Sequence, residues 1–255
     1  MSRHQNRPVA LVTGGTSGLG LTTAERLLAD GMRPVLFGRS RERGKSAVRQ
    51  LGGEAVFVAG DVAVEGDVER AVAVAAERGE LRAVVNCAGR AHAARVVGRS
   101  GPHSLKEFAE VVTANLTGTF NVVRLGAESM ARNEPVAGER GVVVNTASIA
   151  AFDGQIGQAA YAASKAGVAG MTLPLARELA GLLIRVVTVA PGLFDTPAAE
   201  VLPPAKRAAL AGLVPHPRRW GQAHEFAHLV AHVIGNPMLN GETIRLDGGL
   251  RLPAS

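Results

Sequence analysis

Tyr161 and Lys165 stand four residues apart in the run Tyr-Ala-Ala-Ser-Lys. On a helix that spacing stacks two side chains on one face, a turn apart. An ammonium beside a phenol favours the phenolate and draws the tyrosine pKa below its ordinary value of about 10. The pair is therefore expected to trade a proton with a substrate oxygen near neutral pH. The spacing alone is common on amphipathic helices. It gains weight from Ser148, thirteen residues upstream, and from a glycine-rich turn near the start of the chain, Thr13-Gly14-Gly15-Thr16-Ser17-Gly18-Leu19-Gly20. Small residues between a strand and a helix let backbone N–H groups and the helix N-terminus approach a pyrophosphate. The glycine spacing here differs from the Gly-x-Gly-x-x-Gly fingerprint, so the turn's meaning depends on the elements around it.

Those elements form a regular series. Short apolar, β-branched runs predict strands over 9–12, 34–37, 55–58, 83–86, 141–145, 184–189 and 243–246. Helical patterns fill 18–29, 41–51, 65–78, 105–130, 158–182 and 222–234. Strands that are apolar throughout, alternating with helices, imply a parallel sheet covered on both faces. The expected fold is a single doubly wound, Rossmann-like α/β domain over 1–255, with a seven-stranded parallel sheet. Residues 1–140 are mainly cofactor-binding, and 141–255 are catalytic and substrate-binding. Residues 90–104 and 193–219 read as long irregular loops, which in a compact domain are usually functional.

Composition narrows the classes. Apolar residues make up 47% of the 255, enough for a substantial core. A single cysteine, Cys87, excludes an intrachain disulfide and fits a reducing compartment, here expected to be cytoplasmic. The first eight residues carry no apolar core and do not read as a secretory signal. No run approaches the ~20 apolar residues of a membrane span. A net charge of +6 suits either nucleic acid or an arginine-rich surface. The bases are scattered and the nine aromatics are not interleaved with them, which favours the surface and no nucleic-acid partner. The histidines lack metal-ligand spacing, so no metal is expected.

The end of the second strand discriminates between cofactors. A carboxylate there would accept hydrogen bonds from the adenosine ribose of NAD. The chain has Gly38-Arg39-Ser40 instead, with Arg41 and Arg43 behind. A guanidinium suits a 2′-phosphate, so NADP(H) is expected in preference to NAD(H). The other reading makes Arg39 a solvated residue opening the next helix.

The glycine turn, Asn86-Cys87-Ala88-Gly89, Asn115, Ser148, Tyr161-x-x-x-Lys165 and Pro191-Gly192, in this order, resemble the short-chain dehydrogenase/reductase family over nearly the whole chain. Segments 141–152, 157–161, 170–174, 190–194 and 240–248 are similar to the family's 3-hydroxyacyl-CoA dehydrogenases, with Gly38 departing where an NAD-selecting aspartate is expected. The resemblance implies an NAD(P)-dependent oxidoreductase interconverting a secondary alcohol and a ketone. Tyr161 would be the general acid/base, and Lys165 would tune it and hold the nicotinamide ribose. Ser148 would hold the substrate oxygen, and Asn115 would anchor a relay water. Gly14, Thr16, Ser17, Gly18, Leu19 and Gly20 would cradle the cofactor, with Arg39, Asp61 and Val62 at its adenosine end. Asn86, Ala88 and Gly89 would line the ribose and pyrophosphate; Pro191, Gly192, Phe194 and Thr196 would hold the carboxamide end. Gln155 matches a substrate-facing position, or else faces water, and 193–219 resembles a substrate lid. The cations of 90–104 (Arg90, His92, Arg95, Arg99 and His103) either bind coenzyme A phosphates or are solvated. The substrate is expected to be a 3-hydroxyacyl-CoA or 3-oxoacyl-CoA; the alternatives are a steroid or another hydrophobic alcohol, or a non-catalytic nicotinamide-binding scaffold. The resemblance further implies a homotetramer.

Overall fold

The computed structural model describes residues 7–99, 101–199 and 202–254. Most of the N-terminal segment read above, together with Ser100 and residues 200–201 of the two long loops, lies outside that set.

Among the described residues, eleven strands follow in chain order: β1 Val9–Thr13, β2 Arg33–Gly38, β3 Val56–Ala59, β4 Leu81–Asn86, β5 Val97–Gly98, β6 Gly101–Pro102, β7 Gly141–Thr146, β8 Ile184–Pro191, β9 Phe194–Asp195, β10 Gly221–Gln222 and β11 Thr243–Leu246. Eight α-helices accompany them: α1 Gly18–Ala29, α2 Arg41–Gln50, α3 Glu65–Arg78, α4 Leu105–Val112, α5 Gly118–Met130, α6 Ala159–Ala180, α7 Pro204–Gly212 and α8 Ala223–Gly235. Seven strands form one sheet in the order β11-β8-β7-β4-β1-β2-β3, and every pair in it is parallel. This is the expected Rossmann-like fold.

The period of two along each strand explains why both faces are covered. In β1, Val9 and Leu11 enter a core under α3, α5 and α6; Ala10 and Val12 enter a second core under α1, α2 and α8. A strand buried on both sides has no use for a polar alternation. Strand order reverses between β1 and β4, opening a crevice at the carboxyl ends, where ligands of open α/β sheets bind.

Three expectations need correction. The 105–130 helix is not continuous: a π-helical turn, Thr113–Thr117, separates α4 from α5. Such a turn sits inside an otherwise continuous helix, so the run reads as one helix from sequence. The 193–219 stretch is not irregular throughout, because it holds α7, none of whose residues is buried. Pro203 and Pro204 at the start of α7 read as loop punctuation, although proline is tolerated in the first turn of a helix. The 90–104 loop folds back as a two-stranded hairpin, β5 against β6. Among the described residues, no helix is long and apolar enough to cross a membrane.

Candidate active site

The glycine turn joins β1 to α1. Gly14 adopts φ +64, and a Cβ there would lie 2.8 Å from the Ala88 backbone nitrogen. A Cβ on Gly20 would lie 2.4 Å from the Gly14 carbonyl oxygen. Both positions therefore require glycine, which brings the β1 and β4 loops together beside the crevice. The side chain of Ser17, which precedes α1, caps none of its N–H groups, and the first turn carries no acidic residue. The helix's positive end thus faces the crevice with donors available to an anion. Ser40, which opens α2, instead accepts from the Arg43 backbone nitrogen at 3.3 Å.

The floor of the crevice is a buried polar ladder across three strand ends. Register aligns Thr13 with Asn86 and Asn86 with Asn145. Thr13 Oγ1 donates to Asn86 Oδ1 at 3.3 Å and Asn86 Nδ2 to Asn145 Oδ1 at 2.9 Å. The Ala88 backbone nitrogen donates to Thr13 Oγ1 at 3.1 Å, which holds the 86–89 turn in place. Asn86 thus supports the floor from below. Thr13 and Asn145 were missed by sequence reasoning; only the pairing register identifies them as its partners.

The resulting cavity has a volume of about 440 Å³. Ser148, Tyr161 and Lys165 line it together with Gly14 and Thr16 to Gly20 of the glycine turn, Ala88 and Gly89, and Pro191, Gly192, Phe194 and Thr196. Arg39, Asp61 and Val62 line its far end, joined by Arg43. A larger cavity, about 630 Å³, is lined by Arg7, Arg33 and Arg78 and contains none of these groups. Asn115 and Gln155 are not in the cleft wall. Asn115 is fully buried in the π-helical turn, where its Oδ1 accepts from the Arg90 nitrogen at 2.7 Å and its Nδ2 donates to the Arg90 carbonyl and to Ser164 Oγ. A Cβ on Gly89 would come within 3.3 Å of Asn115 Oδ1 and 3.6 Å of Lys165 Nζ, so these groups lie close behind the cleft. Gln155 donates to the Pro253 carbonyl at 3.1 Å, tying its loop to the C-terminal segment.

Electrostatics revise the simple picture of the tyrosine–lysine pair. Burial pushes the Tyr161 phenol above its ordinary pKa, and a hydrogen bond with Ser148 only partly offsets this. Lys165 Nζ is 5.9 Å from the Tyr161 ring centroid and donates to the Thr146 carbonyl at 2.6 Å. The sequence predicts a lowered phenol pKa; the structure raises it, because desolvation outweighs the Ser148 hydrogen bond while the Lys165 ammonium is turned toward a backbone oxygen. Lys165 itself is lowered to about 8, chiefly by burial. Burial likewise raises the neighbouring Cys87 thiol to about 11. At rest the site therefore holds a protonated phenol, which can act as an acid toward an oxygen placed beside Ser148.

The rim is different in kind. Arg39 is 74% exposed, with its guanidinium 4.0 Å from the Asp61 carboxylate. A Cβ on Gly38 would meet nothing nearer than Thr16 Cγ2 at 3.7 Å, so the strand tip has room where a side chain would otherwise stand. In the 90–104 loop, Arg90 pairs with Glu110 at 2.6 Å, while Arg95 and Arg99 are exposed and form no ion pair among the described residues. Arg207 anchors α7 by pairing with Asp195 at 2.6 Å and lying over the Trp220 ring.

Residues 8–207 match the short chain dehydrogenase family model. The 3-hydroxyacyl-CoA dehydrogenase type-2 of Bos taurus is 51% identical over 248 residues, covering 96% of this chain and 95% of that protein. A crystal structure of 3-hydroxyacyl-CoA dehydrogenase type-2 from Mycobacterium avium superposes with a TM-score of 0.94, at 43% identity and 97% coverage of each chain. A tryptophan variant of actinorhodin polyketide ketoreductase, solved with NADPH, gives a TM-score of 0.87 at 32% identity, covering 99% of this chain and 100% of the other. The chain belongs to the short-chain dehydrogenase family and is an oxidoreductase that interconverts a secondary alcohol and a ketone.

Proposed function

We propose that this chain interconverts 3-hydroxyacyl-CoA and 3-oxoacyl-CoA thioesters and prefers NADP(H) to NAD(H). The observation that carries the chemistry is the meeting of the Ser148 hydroxyl, the Tyr161 phenol and the Lys165 ammonium in one cleft above a buried polar floor. The glycine cradle, which a Cβ at Gly14 or Gly20 would fill, fits a dinucleotide. When bound, the cofactor supplies or accepts the hydride.

The protein's own groups handle the oxygen. Ser148 would hold the substrate oxygen by hydrogen bonding, as an oxyanion donor does. Tyr161, protonated at rest, donates its proton to that oxygen during reduction and takes it back during oxidation. Lys165 keeps a positive charge behind the phenol at neutral pH and would hold the nicotinamide ribose. Asn115, fixed by Arg90 and Ser164, would anchor a relay water near the lysine. Asp61 and Val62 would face the adenine, Ala88 and Gly89 the adjacent ribose and pyrophosphate with Asn86 supporting them from below, and Pro191, Gly192, Phe194 and Thr196 the carboxamide end. Gln155 would bound the substrate pocket from its loop.

The acyl-CoA assignment rests on the relatives named above and on the two exposed cations Arg95 and Arg99, which suit coenzyme A phosphates. The NADP(H) assignment rests on Arg39 and Arg43 beside the open space at Gly38. We also propose a homotetramer, since α5 and α6 expose Phe120 and Leu173, apolar groups that a partner helix would cover. The single cysteine, a free thiol, suits the cytoplasm. Turnover of acetoacetyl-CoA and a steroid ketone with NADPH and NADH tests the reading. The highest kcat/KM is expected for acetoacetyl-CoA with NADPH. A tenfold advantage for the steroid would overturn the substrate, and the same advantage for NADH would overturn the cofactor.

A further inference from the structure

We propose that His92, His103 and Glu107 form a binding site for a divalent transition metal of the zinc class, separate from the hydride-transfer cleft. In the sequence the two histidines are eleven residues apart and show no ligand spacing. The hairpin closes that gap: β5 pairs antiparallel with β6, and the His103 backbone nitrogen donates to the Val96 carbonyl at 2.9 Å. α4 then starts at Leu105 and presents Glu107 from its first turn. One ligand atom from each of the three residues lies within 4.8 Å of the other two.

The state of His92 points to a ligand. Its Nε2 is buried and has no hydrogen-bond partner, although Glu107 Oε2 is only 3.2 Å away. The two atoms stand at ion-pair distance but are misaligned for a hydrogen bond. A cation between them converts both into ligands. His103 packs its ring edge-on to His92, with centroids 5.7 Å apart, and Phe108 lies edge-on to the His103 ring at 6.4 Å. A proton on His103 Nδ1, donated to the Ser104 carbonyl at 2.9 Å, leaves the Nε2 lone pair for a metal and fixes the ring through a second-shell bond.

Two imidazoles and one carboxylate suit zinc, nickel or copper; calcium and magnesium prefer oxygen ligands alone. Three protein ligands leave a fourth position for water. The site would clamp the hairpin to α4. The same loop begins with Arg90 and Ala91, which line the cleft, so the clamp borders the substrate entrance without entering the catalytic machinery.

The test is a zinc titration of the untagged, chelator-treated full chain against a chromophoric competitor, with hydrogen exchange read over residues 91–103. Wild type is expected to bind one equivalent of zinc at this site and to slow exchange in the hairpin. The double variant His92→Gln/His103→Gln should lose that equivalent and the protection while keeping its metal-free Tm. His228→Gln, which breaks the histidine pair His224/His228 on α8, should keep both. The proposal fails if the wild type takes up no zinc, if the double variant binds it unchanged, or if only His228→Gln removes it. Should the double variant fail to fold, Glu107→Gln is measured in its place, and unweakened binding there would likewise overturn the site.

Discussion

The floor of the cleft and its rim are built differently. Asn86, Asn115, Asn145, Ser148 and Lys165 are all at most 9% exposed, and their positions are held by strand register and hydrogen bonds. Arg39 and Arg43 stand in solvent at the rim, and Arg95 and Arg99 stand in solvent on the 90–104 loop that leads away from it. A buried polar group has few alternatives, because losing its partner costs about 1–3 kcal/mol. An exposed arginine loses little by moving. The comparison teaches that proton-transfer geometry is held by the core, while the arginines proposed to choose cofactor and substrate stand where they can change without disturbing it.

The most severe test of that division is Tyr161→Phe. Removing one hydroxyl should lower kcat by about 10²–10⁴, the usual range for a general acid/base. Cofactor affinity, read by nicotinamide fluorescence, should stay within a few-fold; near-normal turnover would end the assignment.

Burial of the floor also predicts a stability signature. Lys165 is held at about 8, below its ordinary 10.5. Between those values the unfolded chain binds the proton that the folded chain has shed, so stability rises with pH at up to about 1.4 kcal/mol per pH unit. Below pH 8 the full penalty applies, on the order of 3 kcal/mol in the unliganded protein. Cys87, raised to about 11, acts oppositely above its ordinary value, so the difference between wild type and Lys165→Met isolates the lysine. Denaturant unfolding of both between pH 7 and 9 should show that difference growing in favour of wild type above pH 8. A flat difference would mean that the ammonium is better solvated than its burial implies.

At the rim, Gly38→Asp places a carboxylate where a Cβ meets only ordinary contacts. The ratio of kcat/KM for NADPH over NADH should fall by about tenfold or more, as a ribose-binding acid replaces room for a phosphate. Tm should barely change. An unchanged ratio would remove Arg39 and Arg43 from cofactor selection. The smallest effect is expected for Arg95→Ala/Arg99→Ala: a KM for acetoacetyl-CoA raised roughly threefold, in the range of exposed ion pairs, with kcat constant. Equal KM values would return these cations to solvent.

Much of this was legible beforehand. Tyr161 and Lys165, the glycine turn and the seven strands follow from local spacing and from apolar runs buried on two faces. The π-helical turn was not, because Thr113–Thr117 interrupts the helix without interrupting its apolar pattern. Nor was α7, whose opening prolines Pro203 and Pro204 read as loop punctuation. The bond of Gln155 to Pro253 joins residues 98 apart, a partnership no local pattern encodes. The same holds for His92, His103 and Glu107, which only a hairpin and a helix start bring together.

By itself, the sequence determined the order of elements, the glycines that a close approach demands and the one-turn stacking of tyrosine over lysine. These are short-range matters of backbone sterics and helical period. Only the tertiary structure decided which groups are dry and where the Lys165 ammonium points. It also decided that the Tyr161 phenol is pushed up rather than down: desolvation depends on everything packed around a group, and here it outweighs the Ser148 hydrogen bond.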